Sequence, residues 1–388
     1  MHDSILFLFF LIFSGAALFA TAALYARQAL LVAYIALGLL LGPAGVNLVP
    51  DPALVGDIAN VGIIFLLFLL GLNLEPADLG KLFREAVVVT FLSCAGFAVF
   101  GFSVGWVFGF NTTDCLLIGA ACMFSSTIIG LKLLPTSALH HQRMGEIIVS
   151  ILLLQDLVAI AILLLLQGLS QPGEPALAVA KLAILLPTLV GAAWFLSRYA
   201  LHRLIAKFDQ IQEYVFLLAV GWCLGMAELA TALGLSHEIG AFVAGITLAT
   251  NPIARFIAES LKPLRDFFLI MFFFALGAGF DLGLIAQIWL PTLVLAGGML
   301  LLKPWVFNVL LRREQEKASL AKEIGVRMGQ ISEFTLLIAI VGTATGFLSD
   351  RAASLVQAAT VLSFLVSSYW IVAKYPTPIA VDDALRRD

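Results

Sequence analysis

The chain has 388 residues, of which 61% are hydrophobic and 12% are charged. This composition excludes an ordinary soluble protein and is typical of a chain that crosses a membrane many times. The formal net charge of −3 leaves no basic excess for binding nucleic acid. The four cysteines lie in apolar stretches without a C-x-x-C pair, so neither a disulfide framework nor a zinc site is predicted.

Apolar runs follow one another along almost the whole chain. Crossing about 30 Å of hydrocarbon takes roughly 20 helical residues, and shorter helices suffice where neighbouring protein shields them. This length predicts an all-α membrane protein with thirteen transmembrane helices. They lie near residues 4–24, 27–43, 54–73, 85–110, 115–134, 144–168, 177–198, 211–230, 236–250, 264–281, 285–311, 325–347 and 352–374.

The positions of the basic residues support this count, because Lys and Arg gather in cytoplasmic connections. In the thirteen-helix arrangement, every Lys and Arg except Lys181, Lys303 and Arg351 falls on one side of the membrane. We therefore expect a multi-pass protein of the cell inner membrane with its N-terminus outside. The C-terminus is then cytoplasmic, with residues 375–388 as a short tail.

The two halves of the chain carry related segments at a constant offset of 206 or 207 residues. Such internal repetition indicates two structural repeats, here residues 1–176 and 211–374, joined by a linker helix within 177–210. Because one helix separates two units of six, the second repeat must be inverted relative to the first, as in many secondary transporters. The matching pairs are Gly38 with Gly245, Gly71 with Gly277, and Ser126 with Glu333.

One acidic residue lies in the middle of a predicted span. Gln155 and Asp156 interrupt the run ILLLQDLVAIAILLLL, with at least four apolar residues on either side. An ionisable group at this depth costs at least about 2.5–3.5 kcal/mol, so it is expected to have a function. We predict that Asp156 belongs to an ion site; the alternative is a structural Asp whose partners lie on neighbouring helices.

A lysine is also embedded in a predicted span. Lys303 precedes Pro304, which cannot donate a backbone hydrogen bond and tends to kink a helix. A buried ammonium needs a partner, and we expect either Asp156 or the carbonyl groups at the end of a broken helix. The alternative is that the side chain extends to the membrane surface.

Two further spans carry polar clusters at mid-length, and the repeat offset makes the clusters equivalent. Small polar residues permit local unwinding, which is tolerated at membrane depth only where the backbone is buried in protein or lines a cavity. We therefore predict two broken helices that cross. The alternative is that both helices are intact and the hydroxyls donate to carbonyls of their own helix. The clusters are Ser125, Ser126 and Thr127 in one span and Gln330, Ser332 and Glu333 in the other.

Several segments occur in the order found in a known transporter family: FSSTIIGLKLL, ILLLQDLVAI, GLSHEIGAFVAGITLA, FFALGAGFDL and GQISEFTLLIA. With the embedded Lys303, they resemble the second cation:proton antiporter family, most closely its Kef potassium-efflux branch. In relatives that carry sodium the site pair reads Asp-Asp or Asn-Asp, whereas the Kef-like branch has Gln-Asp, as at Gln155 and Asp156. The resemblance therefore favours potassium over sodium.

The resemblance implies a homodimer surrounded by membrane lipid. A fixed half would hold the first three helices of each repeat, and a mobile core holding the last three would move like an elevator. Kef systems also carry a cytosolic nucleotide-binding domain, so a regulatory domain, separate or removed, is a further expected partner. The site residues implied are Asp156, Gln155, Ser125, Ser126 and Thr127 for the cation and proton, and Lys303, Glu333, Ser332 and Gln330 as support.

The sequence thus predicts a monovalent cation/proton antiporter that is not an enzyme and needs no cofactor, with potassium as the favoured substrate. Burial disfavours an ionised carboxyl and a nearby cation favours it, so the two ions would compete for Asp156. Sodium/proton antiport is one alternative. A gated potassium channel would be expected to carry a TVGYG-like filter, and a membrane enzyme using Ser125 or Ser126 would need an embedded His; the sequence contains neither.

Overall fold

A computed structural model describes residues 5–26, 28–49, 53–73, 84–134, 143–169, 175–208, 210–249, 251, 253–280 and 282–377. Helices make up the regular elements of these ranges, which confirms the predicted all-α class. Residues 378–388 of the predicted cytoplasmic tail lie outside the described residues.

The helices of the described residues occur in the following order along the chain. The N-terminal part contains α1 (Ile5–Tyr25), α2 (Leu30–Leu41), α3 (Ala53–Asn73), α4 (Arg84–Val107), α5 (Thr112–Cys122), α6 (Thr127–Lys132) and α7 (Arg143–Leu169). Next come α8 (Pro175–Leu196), a π-helical turn (Ser197–Leu201) and α9 (His202–Phe208). The C-terminal part contains α10 (Gln212–Ala232), α11 (His237–Ala249), α12 (Ala254–Ala278), α13 (Leu282–Arg313), α14 (Ala318–Arg327), α15 (Glu333–Ala344) and α16 (Asp350–Lys374).

Many of these helices have the length and composition of membrane spans. Seven helices in the described part of the chain are long and apolar enough to cross a bilayer, and several others are shorter apolar helices. Each predicted span overlaps a helix or a pair of short helices. The number of thirteen crossings stays a prediction.

The chain divides into two compact units. The first unit comprises residues 1–13, 37–81 and 167–279, and the second unit comprises residues 14–36, 82–166 and 280–388. The predicted site residues all belong to the second unit.

In the first unit, glycines allow helices to approach to backbone contact. A Cβ atom on Gly38 of α2 would lie 2.0 Å from the carbonyl oxygen of Phe274 in α12. A Cβ atom on Gly245 of α11 would lie 2.1 Å from the carbonyl oxygen of Phe68 in α3. Only glycine fits such approaches. Phe274 follows Phe68 by 206 residues, as Gly245 follows Gly38 by 207. Each contact therefore pairs the glycine of one repeat with the phenylalanine of the other, as two related repeats would require.

In the second unit, two spans are interrupted where the polar clusters were predicted to break them. Residues 123–126 separate α5 from α6, and residues 328–332 separate α14 from α15. We call these segments the first break and the second break. The Ser126 hydroxyl accepts the Ile129 N–H at 3.1 Å, and the Ser332 hydroxyl accepts the Phe334 N–H at 3.1 Å. Each break therefore ends in a serine that caps the following half-helix.

Two polar contacts join helix starts within the second unit. Asp114 of α5 accepts the backbone N–H and the hydroxyl of Ser349, each at 2.8 Å, immediately before α16. Arg143 at the start of α7 donates to Glu316 at 3.0 Å, just before α14. We call these pairs the Asp114 clamp and the Arg143 clamp. The Asp114 clamp joins α5 to α16, and the Arg143 clamp joins their repeat equivalents, α14 and α7. Only the Asp114 carboxylate is buried.

Candidate functional site

Gln155 of α7 holds the first break in place. Its Oε1 atom accepts the Ser125 N–H at 2.9 Å, and its Nε2 atom donates to the Met123 carbonyl at 3.4 Å. Backbone groups freed by unwinding in a buried place need such partners. Both polar atoms of Gln155 thus bind backbone, and its predicted part in holding the cation stays a prediction.

Asp156, the next residue along α7, lies beside the start of α6. It is 3% exposed, and the Thr127 hydroxyl lies 3.4 Å from each of its carboxylate oxygens. The Glu333 carboxylate at the start of α15 is also buried and interacts electrostatically with Asp156. These groups supply oxygen atoms of the kind that hard cations prefer. The O···O distances are long for hydrogen bonds between oxygens, so the Thr127 hydroxyl holds the carboxylate only weakly.

The two breaks contact each other directly. The Ser125 hydroxyl donates to the Met328 carbonyl at 2.9 Å. The Gln330 Nε2 atom donates in the opposite direction, to the Ser126 carbonyl at 3.3 Å. The structure therefore brings the two polar clusters together, as crossing broken helices require.

Lys303 of α13 bridges the two breaks. Its Nζ atom donates to the Phe124 carbonyl of the first break and, at 3.1 Å, to the Gln330 carbonyl of the second break. The Ser125 Oγ atom lies 3.5 Å away, and the Phe97 ring centroid lies 5.1 Å away. Of the two partners expected from the sequence, the structure shows the carbonyls. Lys303 is fully buried, so it does not extend to the membrane surface.

Several residues that support the breaks are not among the predicted site residues. Thr335 donates to the Ala121 carbonyl at 2.5 Å, Ser363 accepts the Ile331 N–H at 3.0 Å, and Ser367 donates to the Gln330 Oε1 atom at 3.0 Å. Ser363 follows Asp156 by 207 residues, so the repeat offset could have identified it. Thr335 and Ser367 carry no comparable mark, because hydroxyls are common in apolar helices and bond most often to their own helix.

These features define a class of protein. A multi-pass helical chain in which unwound helix segments meet beside a buried carboxylate has the architecture of a secondary ion transporter.

Comparison with known sequences supports this class and gives the family. The model of the family described as "Sodium/hydrogen exchanger, transmembrane" matches residues 8–373. The chain belongs to this family of cation/proton antiporters.

Three relatives show how the family varies. The chain is 30% identical to K(+) efflux antiporter 4 of Arabidopsis thaliana over 327 residues, which cover 81% of this chain and 54% of that protein. It is 29% identical to the glutathione-regulated potassium-efflux system protein KefC of Cronobacter sakazakii over 314 residues, which cover 79% of this chain and 50% of that protein. It is 28% identical to the iron transporter MagA of Paramagnetospirillum magneticum over 350 residues, which cover 89% of this chain and 80% of that protein. The chain therefore spans about half the length of both potassium-efflux relatives, and the predicted resemblance to the Kef-type branch is confirmed.

A solved structure shows the same fold. The sodium proton antiporter MjNhaP1 from Methanocaldococcus jannaschii, determined at pH 8, matches with a TM-score of 0.72 at 17% identity. The match covers 94% of this chain and 96% of that one. This chain is thus a multi-pass membrane protein with an antiporter fold.

Proposed function

We propose that this antiporter exchanges potassium for protons and that Asp156 carries both ions in turn. The observation that carries the proposal is the buried Asp156 carboxylate, which lies against the Thr127 hydroxyl at the start of an interrupted helix. Burial favours the protonated carboxyl, whereas a bound cation favours the carboxylate, so each ion displaces the other. A bare carboxylate is costly in hydrocarbon, which opposes movement of the empty charged site and prevents a leak.

Potassium is favoured over sodium by two observations. The pair at positions 155 and 156 is Gln-Asp, the form of the Kef-like branch that the chain resembles. The relatives with 29–30% identity are named for potassium efflux. Sodium is the second candidate, because the structural neighbour is a sodium proton antiporter.

We further propose that the second unit is the mobile core and the first unit is the fixed half. The boundaries of the two units support this assignment. Residues 82–166 and 280–388 of the second unit contain the last three predicted spans of each repeat. The reciprocal glycine contacts of Gly38 and Gly245 support the inverted repeats on which an elevator movement depends.

The remaining parts of the proposal rest on the resemblance and on charge. We propose a homodimer in the cell inner membrane, surrounded by lipid, with an external N-terminus and a cytoplasmic C-terminus. Because the potassium-efflux relatives are about twice as long as the matched region, a cytosolic regulatory domain is a proposed partner.

Purified protein in liposomes loaded with a pH-sensitive dye tests the proposal. A potassium gradient should drive a pH change in the wild type, and Asp156→Asn should abolish it, because an amide cannot exchange a proton for a cation. Asp350→Asn, at an exposed acid of the same unit, is the matched control and should retain activity. Exchange that persists in Asp156→Asn would remove the carrier assignment.

Two further measurements with the same liposomes separate the alternatives. Potassium and sodium titrations of the dye response identify the cation, and half-saturation at much lower sodium than potassium would overturn the potassium assignment. Electrical recording tests for the channel, because unitary conductance would contradict antiport.

A further inference from the structure

Arg327, the last residue of α14, is a buried guanidinium that the proposed transport cycle does not use. It is 1% exposed. Its Nη1 atom donates to the Leu133 carbonyl at 2.9 Å, and its Nη2 atom donates to the Pro376 carbonyl at 2.8 Å. Its Nε and Nη2 atoms also donate to Glu323 at 3.0 and 2.8 Å. One side chain therefore joins α14 to the end of α6 and to the chain that follows α16.

The contact with Leu133 connects Arg327 to the proposed ion site through α6. The hydrogen bonds of α6 run without interruption, from the Gly130 N–H to the Ser126 carbonyl at 3.0 Å and from the Leu133 N–H to the Ile129 carbonyl at 3.2 Å. At 1.5 Å per residue, Leu133 lies about 9 Å along the axis from Thr127. Since α6 is a single short helix, a displacement of Leu133 is transmitted to Thr127, whose hydroxyl lies against Asp156.

The contact with Pro376 leads in the opposite direction, to the segment that leaves the last helix. We call residues 375–377 the C-terminal strap. The Tyr375 ring centroid lies 5.7 Å from the Arg327 guanidinium carbon, within the range of a cation–π contact. The Arg327 guanidinium thus holds the strap in two ways: it donates a hydrogen bond to the Pro376 carbonyl, and it lies over the Tyr375 ring.

The repeats show that this network is not needed to close a half-helix. The position equivalent to Arg327 in the first repeat is Ala120, which lies 207 residues earlier near the end of α5. That position carries a methyl group in place of a guanidinium. Arg327 is therefore a feature of the second repeat only, and it bonds both to the strap and to the end of α6.

We propose that Arg327 is a positioning residue that couples the C-terminal strap to the ion site through α6. A shift of the strap changes the place of Leu133 and hence the distance between Thr127 and Asp156, which alters cation affinity. The strap is thus the point at which a force on the following chain reaches the site. This inference deepens the proposed function and rests on it.

Variants of Arg327 in the liposome assay test the coupling. Arg327→Gln removes the charge and most of the donors, and we expect it to raise the half-saturating potassium concentration by about fivefold or more, the lower range of typical coupling between sites. The maximal rate should change less, because Asp156 and Thr127 are retained. Arg327→Lys should restore part of the affinity, because a lysine donates to one or two of the acceptors but cannot reach all of them.

Arg143→Gln is the matched control, since it breaks another arginine–glutamate pair of the second unit and leaves α6 and the strap bonded. It should leave the half-saturating concentration unchanged. An unchanged value in monodisperse Arg327→Gln, or an equal rise in Arg143→Gln, would overturn the coupling. Absence of Asp156-dependent exchange in the wild type would instead refute the proposed function.

A second measurement uses the wild-type protein and so does not depend on the folding of a variant. Coupling is reciprocal, so cation binding must also act on the strap. Hydrogen exchange of peptides covering residues 371–377 should differ between saturating potassium chloride and choline chloride, including at the Tyr375 N–H bonded to the Ile371 carbonyl at 2.9 Å. Asp156→Asn should abolish the difference. Identical exchange in the two salts, with transport intact, would overturn the inference.

Discussion

The two clamps of the second unit test how burial changes the contribution of a polar contact to the free energy of unfolding. Asp114→Ala removes the acceptor of three hydrogen bonds at 2.8 Å, two from Ser349 and one from the Asn111 side chain. Bonds to a charged group contribute about 1.5–3 kcal/mol each. They are not additive, and water can reach the exposed Ser349. We therefore expect the free energy of unfolding to fall by about 2–4 kcal/mol.

The equivalent substitution in the other clamp should have a much smaller effect. Arg143→Ala breaks the contact with Glu316, but 42% of the Arg143 side chain is exposed. Exposed ion pairs contribute about 0–1 kcal/mol because water and salt screen them. We expect a loss below about 1 kcal/mol, measured by equilibrium unfolding in detergent beside the wild type. Equal losses in the two variants would refute the assignment of clamp strength to burial.

Two other substitutions test helix contacts by the same unfolding measurement. Lys303→Met removes the ammonium that donates to two carbonyls, so we expect the free energy of unfolding to fall by about 1–3 kcal/mol. The control Leu301→Met, on the exposed face of α13, should leave it unchanged. Equal stability of the two variants would show that the carbonyls do not need the ammonium. Gly245→Ala places a methyl group 2.1 Å from the Phe68 carbonyl oxygen and should cost more than about 3 kcal/mol, while Gly221→Ala, with open space around it, should be neutral or slightly stabilising. A stable Gly245→Ala protein would contradict the close helix approach.

The parts of the site that could be predicted from sequence are those where a polar residue is costly in an apolar span. Asp156 and the serine clusters were identifiable because hydrocarbon disfavours such groups and permits unwound backbone only when it is buried. The structure contains both breaks, and their positions coincide with the clusters. Local chemistry was sufficient there, because the same residues that cause the break also cap the half-helices that follow it.

The sequence predicted carbonyl groups of a broken helix as one possible kind of partner for Lys303, but the particular carbonyls could not be predicted, because they lie far away in the chain. Lys303 bonds to a carbonyl 179 residues before it and to another 27 residues after it. Neither spacing follows from helical periodicity. By sequence, Arg327 is one of the many basic residues on the predicted cytoplasmic side. Its burial depends on the Leu133 and Pro376 carbonyls, which only the folded chain brings together.

In the proposed transport cycle, a single carboxylate acts as the carrier while other polar residues support the breaks. Gln155, Lys303 and Gln330 each bind backbone groups of the breaks, so their polar atoms stabilise unwound helix ends that would otherwise be unsatisfied in a buried place. Asp156 differs, because its nearest hydroxyl contact is long at 3.4 Å. In the proposed cycle, this carboxylate accepts a proton or a cation without breaking the hydrogen bonds between the two breaks. If Asp156 also supported the breaks, each change of ion in the proposed cycle would destabilise the proposed mobile core.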